Sequence, residues 1–305
     1  MLNKGQLYEV KVPASTANLG PGFDCFGLAL QLYLTIRFKV AEENSIKLIG
    51  KNLASLPEDE SNLIFRTIKY LFNQENEAMP HIALEIESDI PLSRGLGSSG
   101  SAIVGGLFVA NHLLQKPKTN EELLQIATKL EGHPDNVGAS LYGNFIVAAY
   151  DGEKATLAKF EFPESIKIVL MIPEYTLSTE VARCLIPDRI PLKDVSFNIG
   201  HASLLLAYIL TGQIDKFPLA MKDRTHQPYR QKNIKGLQNV IELSEQRGIF
   251  SAALSGAGPT ILFFAKEENL PQVYEIIDII KKEENFEAEI KTILPAKEGT
   301  KITVL

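Results

Sequence analysis

Residues 91–101 read PLSRGLGSSGS and run directly into AIVGGLFVANHLL at 102–114. The second stretch spaces its apolar residues as a helix does and carries almost no charge. It therefore predicts a buried helix with a Gly-Ser loop at its N-terminus. Glycines let backbone N–H groups approach an anion closely. A helix start leaves its first donors free and carries about half a positive charge. Ser98, Ser99 and Ser101 add hydroxyls for phosphate oxygens or a magnesium ion, and Arg94 adds a positive charge. The run reads as a phosphate loop. A tight turn with a serine cap would explain a bare GxGS, but not all eleven residues.

Gly95, Gly97 and Gly100 also satisfy the G-x-G-x-x-G pattern. A dinucleotide fold needs an apolar strand before it and an acid at the end of the next strand, about 20 residues on. Here Pro-Leu-Ser-Arg precedes the loop, and the acids at that distance, Glu121 and Glu122, fall in a predicted helix. A Walker loop fails because no Gly-Lys-Ser/Thr follows.

Upstream of the loop, residues 7–12 alternate as a strand, 13–22 read as a small-residue loop, and 23–40 and 45–49 return to strand. Ser61 is placed as the N-cap of a helix over 62–73, and 82–86 form a strand. Downstream, Thr119 caps a helix over 121–130. Residues 131–136 then make a turn, and a small-residue segment leads to a strand at 144–149. Composition shifts between 150 and 163. Beyond it come a strand at 166–172, helices over 196–210, 214–220 and 234–247, two strands flanking 254–260, a helix at 270–282 and a strand at 287–293. Pro218 makes the second of those helices short. The expected fold is α+β in two units, residues 1–155 and 156–305, the latter ferredoxin-like.

The 305 residues carry 45% apolar and 22% charged side chains and a formal charge of −6, an ordinary soluble composition with no general basic face for nucleic acid. Cys25 and Cys184 are too few for a disulfide framework or a four-cysteine zinc site, and the five histidines show no HxxxH spacing. The N-terminus lacks a signal-peptide core, and no apolar run approaches the ~18 residues of a membrane helix. A cytoplasmic protein is the expectation.

Three segments together carry a resemblance: VPASTANLGPGFD at 12–24, PLSRGLGSSGS at 91–101 and LSGAGPT at 254–260. In this order they resemble the three signatures of the GHMP small-molecule kinases. The first lacks the Gly-Glu-His element expected of galactokinases and mevalonate kinases. With EGHPDN at 131–136 and STEVAR at 178–183, it is similar to the homoserine kinase branch. The resemblance implies a two-domain GHMP kinase fold, with a ribosomal protein S five domain two-like N-terminal half and a ferredoxin-like C-terminal half. It further implies ATP as co-substrate, Mg2+, L-homoserine as phosphoryl acceptor and a homodimer as the candidate assembly, with no nucleic-acid or membrane partner. Another small alcohol as acceptor, or a kinase-like sensor without turnover, are the alternatives.

Homoserine is a zwitterion with one reactive hydroxyl, and candidate roles follow on that footing. Arg183 and Arg230 suit its carboxylate, because a guanidinium offers a two-pronged donor fork. Asp24 suits the ammonium, Asn18 the hydroxyl or amino group, and Thr179 and His133 complete the pocket. Asn136 aims the hydroxyl, with Asp135 as the candidate base. Glu131 and Ser98 or Ser99 would hold magnesium. ATP would lie on Pro91, Leu92, Ser93, Arg94, Gly95, Leu96, Gly97, Ser98, Ser99, Gly100 and Ser101, with Asn62 near the adenine. Ser255, Gly256 and Gly258 bring the third loop's backbone close to the nucleotide or the substrate.

Overall fold

A computed structural model describes residues 5–305. The elements run β1 (Tyr8–Asn18), β2 (Gly22–Val40), β3 (Ser45–Ile49), α1 (Leu63–Glu75), β4 (Ile82–Ser88), α2 (Ser98–Leu113), α3 (Asn120–Glu131), α4 (Pro134–Tyr142), β5 (Phe145–Tyr150) and β6 (Ala155–Phe160). They continue through β7 (Lys167–Pro173), α5 (Thr179–Cys184), α6 (Leu192–Leu210), α7 (Phe217–Ala220), α8 (Gln227–Arg230), α9 (Leu237–Arg247), β8 (Phe250–Leu254), β9 (Ile261–Ala265), α10 (Leu270–Glu283), β10 (Ala288–Ile293) and β11 (Lys301–Val304).

Two sheets result. The first has the order β11-β1-β2-β4-β3, with β5 and β6 joined to β2. The second is antiparallel in the order β10-β7-β9-β8. With helices between β7 and β8 and between β9 and β10, it forms the β-α-β-β-α-β pattern of a ferredoxin-like unit. β7 is buried on both faces. Ile168, Leu170 and Ile172 pack into the core shared with the first sheet, while Val169 and Met171 pack under α9 and α10. The halves are therefore joined by continuous apolar packing. A division at 155/156 also leaves β6 and β11 on the far side of the cut from the sheet they complete. No helix among the described residues is long and apolar enough to cross a membrane. Cys25 and Cys184 are free.

The expected loop at 13–22 is mostly strand. β1 continues to Asn18, paired with β2 through two register shifts, and the turn occupies only Leu19-Gly20-Pro21. Residues 12–19 are fully or almost fully buried, with α2 and α4 packed across the two strands. Small side chains here reflect crowding rather than a turn. At the first shift, the Pro13 carbonyl accepts from the Ser140 and Ser101 hydroxyls at 2.9 and 3.1 Å.

The turn placed at 131–136 is also shorter than expected. Gly132 ends α3 in the left-handed region, and α4 begins at once with Pro134 in its first turn, where the missing N–H costs nothing. Thr119 does cap α3, with Glu122 completing a reciprocal capping box. Asn62, not Ser61, caps α1: its Oδ1 accepts from the Ile64 N–H at 3.0 Å.

Candidate active site

Three loops converge at the N-terminus of α2. Gly97 is its N-cap residue, in the left-handed region, and no side chain caps the helix, so its first N–H groups are open to an anion. A side chain at Gly97 would place Cβ 2.1 Å from Ser15 Oγ, and one at Gly95 would place it 2.1 Å from the Ser255 carbonyl oxygen. Both glycines are thus required by neighbouring chain. Ser255 Oγ lies 2.7 Å from the Gly95 carbonyl oxygen, tying the third loop to the phosphate loop.

The phosphate-loop residues divide by environment. Ser93, Gly95, Gly97, Ser98 and Ser99 line the cleft. Leu96 is buried in the core, and Pro91 and Leu92 stand outside the lining. Ser101 is buried, with its hydroxyl on the carbonyls of Gly97 and Pro13. Arg94 is not free for phosphate. Its guanidinium donates to the carbonyls of Pro173, Leu92 and Glu174 at 2.9, 3.0 and 2.6 Å, strapping the loop to the end of β7. Asn62 lies away from the cleft, and its Nδ2 donates to the Pro57 carbonyl at 2.9 Å.

Ser99 Oγ donates to Glu131 Oε2 at 2.8 Å, selecting Ser99 over Ser98 as the partner of that carboxylate. Burial pushes the Glu131 carboxyl above its ordinary value. At the start of α4, Asp135 Oδ1 sits 2.6 Å from His133 Nδ1 and accepts the Asn136 N–H at 2.7 Å. Burial alone would lower His133. The Asp135 charge and their hydrogen bond reverse this and raise it to about 9, so the ring is an imidazolium at neutral pH. Ser15 Oγ meets Asn136 Oδ1 at 2.9 Å.

Opposite stands the acceptor side of the cleft. Asp24 and Arg183 form a two-pronged pair, Nη1 to Oδ2 and Nη2 to Oδ1, each at 2.8 Å. Arg183 is raised first by that hydrogen bond. Thr179 lines the cleft from the first turn of α5, which Ser178 caps. Arg230 is only 2% exposed, and burial followed by the repulsion of Arg183 pushes it down to about 10. Asn18 lines the cleft but spends its amide on architecture, donating to the Gly256 carbonyl at 2.9 Å and accepting the Asp24 N–H at 3.0 Å.

Sequence reasoning missed Phe23, whose ring lies under both arginines, their guanidinium carbons 5.4 and 5.5 Å from its centroid. It also missed Asp223 and His226. Phe23 stands inside the run 12–24 already singled out, and Asp223 and His226 lie a few positions before Arg230, but their type alone marks none of them as functional.

Residues 62–144 match the GHMP kinases N-terminal domain model and residues 205–282 the GHMP kinases C-terminal model. The chain belongs to the GHMP kinase family, and its fold is the two-domain fold of that family. Within it the chain stands with the homoserine kinases. It is 37% identical to the homoserine kinase of Synechocystis sp., over 98% of this chain and 99% of that one. It is 40% identical to the homoserine kinase of Caldicellulosiruptor bescii, over 89% and 87%. The crystal structure of homoserine kinase from Cytophaga hutchinsonii superposes over 99% of both chains with a TM-score of 0.85; at 23% identity this likeness speaks for the fold.

Proposed function

We propose that this enzyme transfers the γ-phosphoryl group of ATP to the side-chain hydroxyl of L-homoserine, giving O-phospho-L-homoserine, a step of threonine biosynthesis. One observation carries the reading. A carboxylate and two guanidiniums, Asp24 with Arg183 and Arg230, face the same cleft as the uncapped N-terminus of α2. The first set matches an amino acid's ammonium and carboxylate; the second matches phosphate. The names of the relatives point to the same acceptor.

Phosphoryl transfer asks mainly for positioning and charge stabilisation. In this reading the α2 N–H groups hold the phosphates, Arg183 and Arg230 hold the substrate carboxylate, Asp24 the ammonium, and Asn136 aims the hydroxyl. Asp135 orients rather than abstracts. Its Oδ1 is shared by the Asn136 backbone N–H and the His133 ring, so it fixes both beside the acceptor. His133 adds positive charge beside the acceptor. The groove between α1 and α2, lined by Leu63, Tyr70 and Ile103 and reaching Leu130 beside Glu131, suits the adenine; Asn62 contributes by fixing the start of α1.

Glu131 and Ser99 supply hard oxygen donors 2.8 Å apart, and a carboxylate that burial disfavours as an anion gains from a divalent cation. The pair fits Mg2+, which, when bound, neutralises charge on the β- and γ-phosphates. An ADP-release assay with homoserine, mevalonate, galactose and shikimate, with and without Mg2+, decides the matter. Magnesium-dependent release with homoserine alone is expected. Release with a different alcohol, or with none, would overturn the assignment.

A further inference from the structure

Arg230 is fully surrounded, and its surroundings form a chain of contacts that the reaction described above does not use. The chain begins at Asp223, whose carboxylate is buried. Its Oδ1 accepts from Asn198 Nδ2 at 2.7 Å, Thr225 Oγ1 at 2.8 Å and the Thr225 N–H at 2.9 Å. Its Oδ2 accepts the N–H groups of His226 and Gln227 at 3.1 and 2.6 Å, and lies 3.5 Å from His226 Nε2. These contacts pin the segment that opens α8.

His226, also fully buried, bridges the two halves of the molecule. Its Nε2 is 2.7 Å from the Gly20 carbonyl oxygen in the β1–β2 turn, and its Nδ1 is 3.4 Å from Arg230 Nη1. A carbonyl can only accept and a guanidinium can only donate. The ring proton therefore sits on Nε2, and Nδ1 offers a lone pair to Arg230. The ring also stacks on Phe23, centroids 5.1 Å apart at 26°. Arg230 Nε donates to the Ala182 carbonyl at 3.0 Å and Nη1 to the Gly256 carbonyl at 3.2 Å. Both Nη2 hydrogens are left without a protein acceptor among the described residues.

We propose that Asp223 and His226 are positioning residues that hold Arg230 so that its Nη2 N–H groups face the substrate carboxylate. The choice of a neutral imidazole matters. A carboxylate in direct contact with Arg230 would neutralise the guanidinium and compete with the substrate. A neutral acceptor fixes the same geometry and leaves the positive charge for the ligand. Asp223 acts one step further back, where it fixes the backbone of His226 and the tilt of the ring.

The inference rests on the homoserine reading of the cleft, and its test separates the two. Homoserine is compared with 2-amino-1,4-butanediol, which replaces the carboxylate by a hydroxymethyl group, in the wild type, His226→Asn and His226→Gln. An Asn amide reaches the Nδ1 position and keeps an acceptor for Arg230; a Gln amide reaches the Nε2 position and keeps only the tie to Gly20. The Gln variant is expected to raise KM for homoserine ~10-fold or more, with KM for ATP and kcat within about threefold. Its preference for homoserine over the diol falls by the same factor, and the Asn variant stays within about threefold of wild type. An unchanged preference in the Gln variant overturns the proposal, as does a uniform loss with both acceptors and ATP. Side-chain 15N shifts of the wild-type histidines need no variant to fold. A neutral His226 protonated at Nε2 at pH 7 is expected, and an imidazolium there overturns the proposal. Wild-type inactivity with homoserine would instead overturn the functional reading.

Discussion

A charged side chain takes its role from its partners. Arg94, Arg183 and Arg230 are alike in sequence, and the fold gives each a different task. Arg94 is consumed by three backbone carbonyls, Arg183 pairs with Asp24, and Arg230 is buried with its Nη2 free of acceptors among the described residues. Arg183→Ala removes the two-pronged pair with Asp24 and, on the proposed reading, a cationic partner of the substrate carboxylate. It is expected to raise KM for homoserine by roughly 10–100-fold with KM for ATP little changed, read from initial rates at varied concentrations of each substrate. An equal rise in both KM values would count against that role. Glu131→Gln keeps the shape of the side chain and its contact with Ser99 while removing the charge. A fall in kcat on the order of 10²–10³-fold is expected, together with a higher magnesium requirement. Near-normal turnover at low magnesium would remove Glu131 from the metal site.

The same dependence on neighbours governs the elements. α2 was legible because its apolar spacing and Gly-Ser start are local signals. The strand over residues 13–18 was not, because burial against β2 and two helices selects the same small residues that a loop would use. α4 hid for a related reason: its N-terminal Pro134 and internal Gly138 read as turn chemistry, yet both fit a short buried helix. Gly97 shows what an element boundary demands. Gly97→Ala combines a φ of 70° with a Cβ 2.1 Å from Ser15 Oγ, which is itself engaged with Asn136. It is expected to cost about 1–3 kcal/mol in stability and to lower kcat, because Asn136 must shift. Gly200→Ala, in α6 with open space around it, is expected to raise Tm slightly. Urea melts and kcat for the two variants make the comparison, and an unperturbed Gly97→Ala enzyme would remove the steric argument.

At the scale of the whole molecule, the cleft is built from both halves, and its buried titratable groups couple stability to pH. Burial lowers His226 below its ordinary value, so the unfolded chain takes up a proton first as the solution acidifies. Stability from the neutral ring is complete above pH ~6.5 and is lost as pH falls below it. Burial alone would raise Asp223, but the hydrogen bonds it accepts from Asn198, Thr225 and Gln227 hold it below the ordinary carboxylate range. Its contribution is present above pH ~4 and disappears as pH falls through the lowered value. Tm is expected to decline in two stages, one beginning as pH falls below about 6.5 and a second as it falls below about 4. His226→Asn should flatten the first stage. Identical Tm profiles for wild type and His226→Asn from pH 7 to 5 would show that the ring is not held neutral.

The sequence by itself determined the Gly-Ser loop, the helix behind it, the α+β class and the runs that line the cleft, because glycine placement, capping residues and apolar period act over a few neighbouring positions. Tertiary structure alone decided which members of those runs reach the cleft. Ser99 rather than Ser101 meets Glu131, Arg94 becomes a strap, Asn62 a cap, and His226 and Asp223 stand behind Arg230. Hydrogen-bond partners 239 positions apart, as Ser255 is from Thr16, follow from how the two sheets pack, and no local pattern records them.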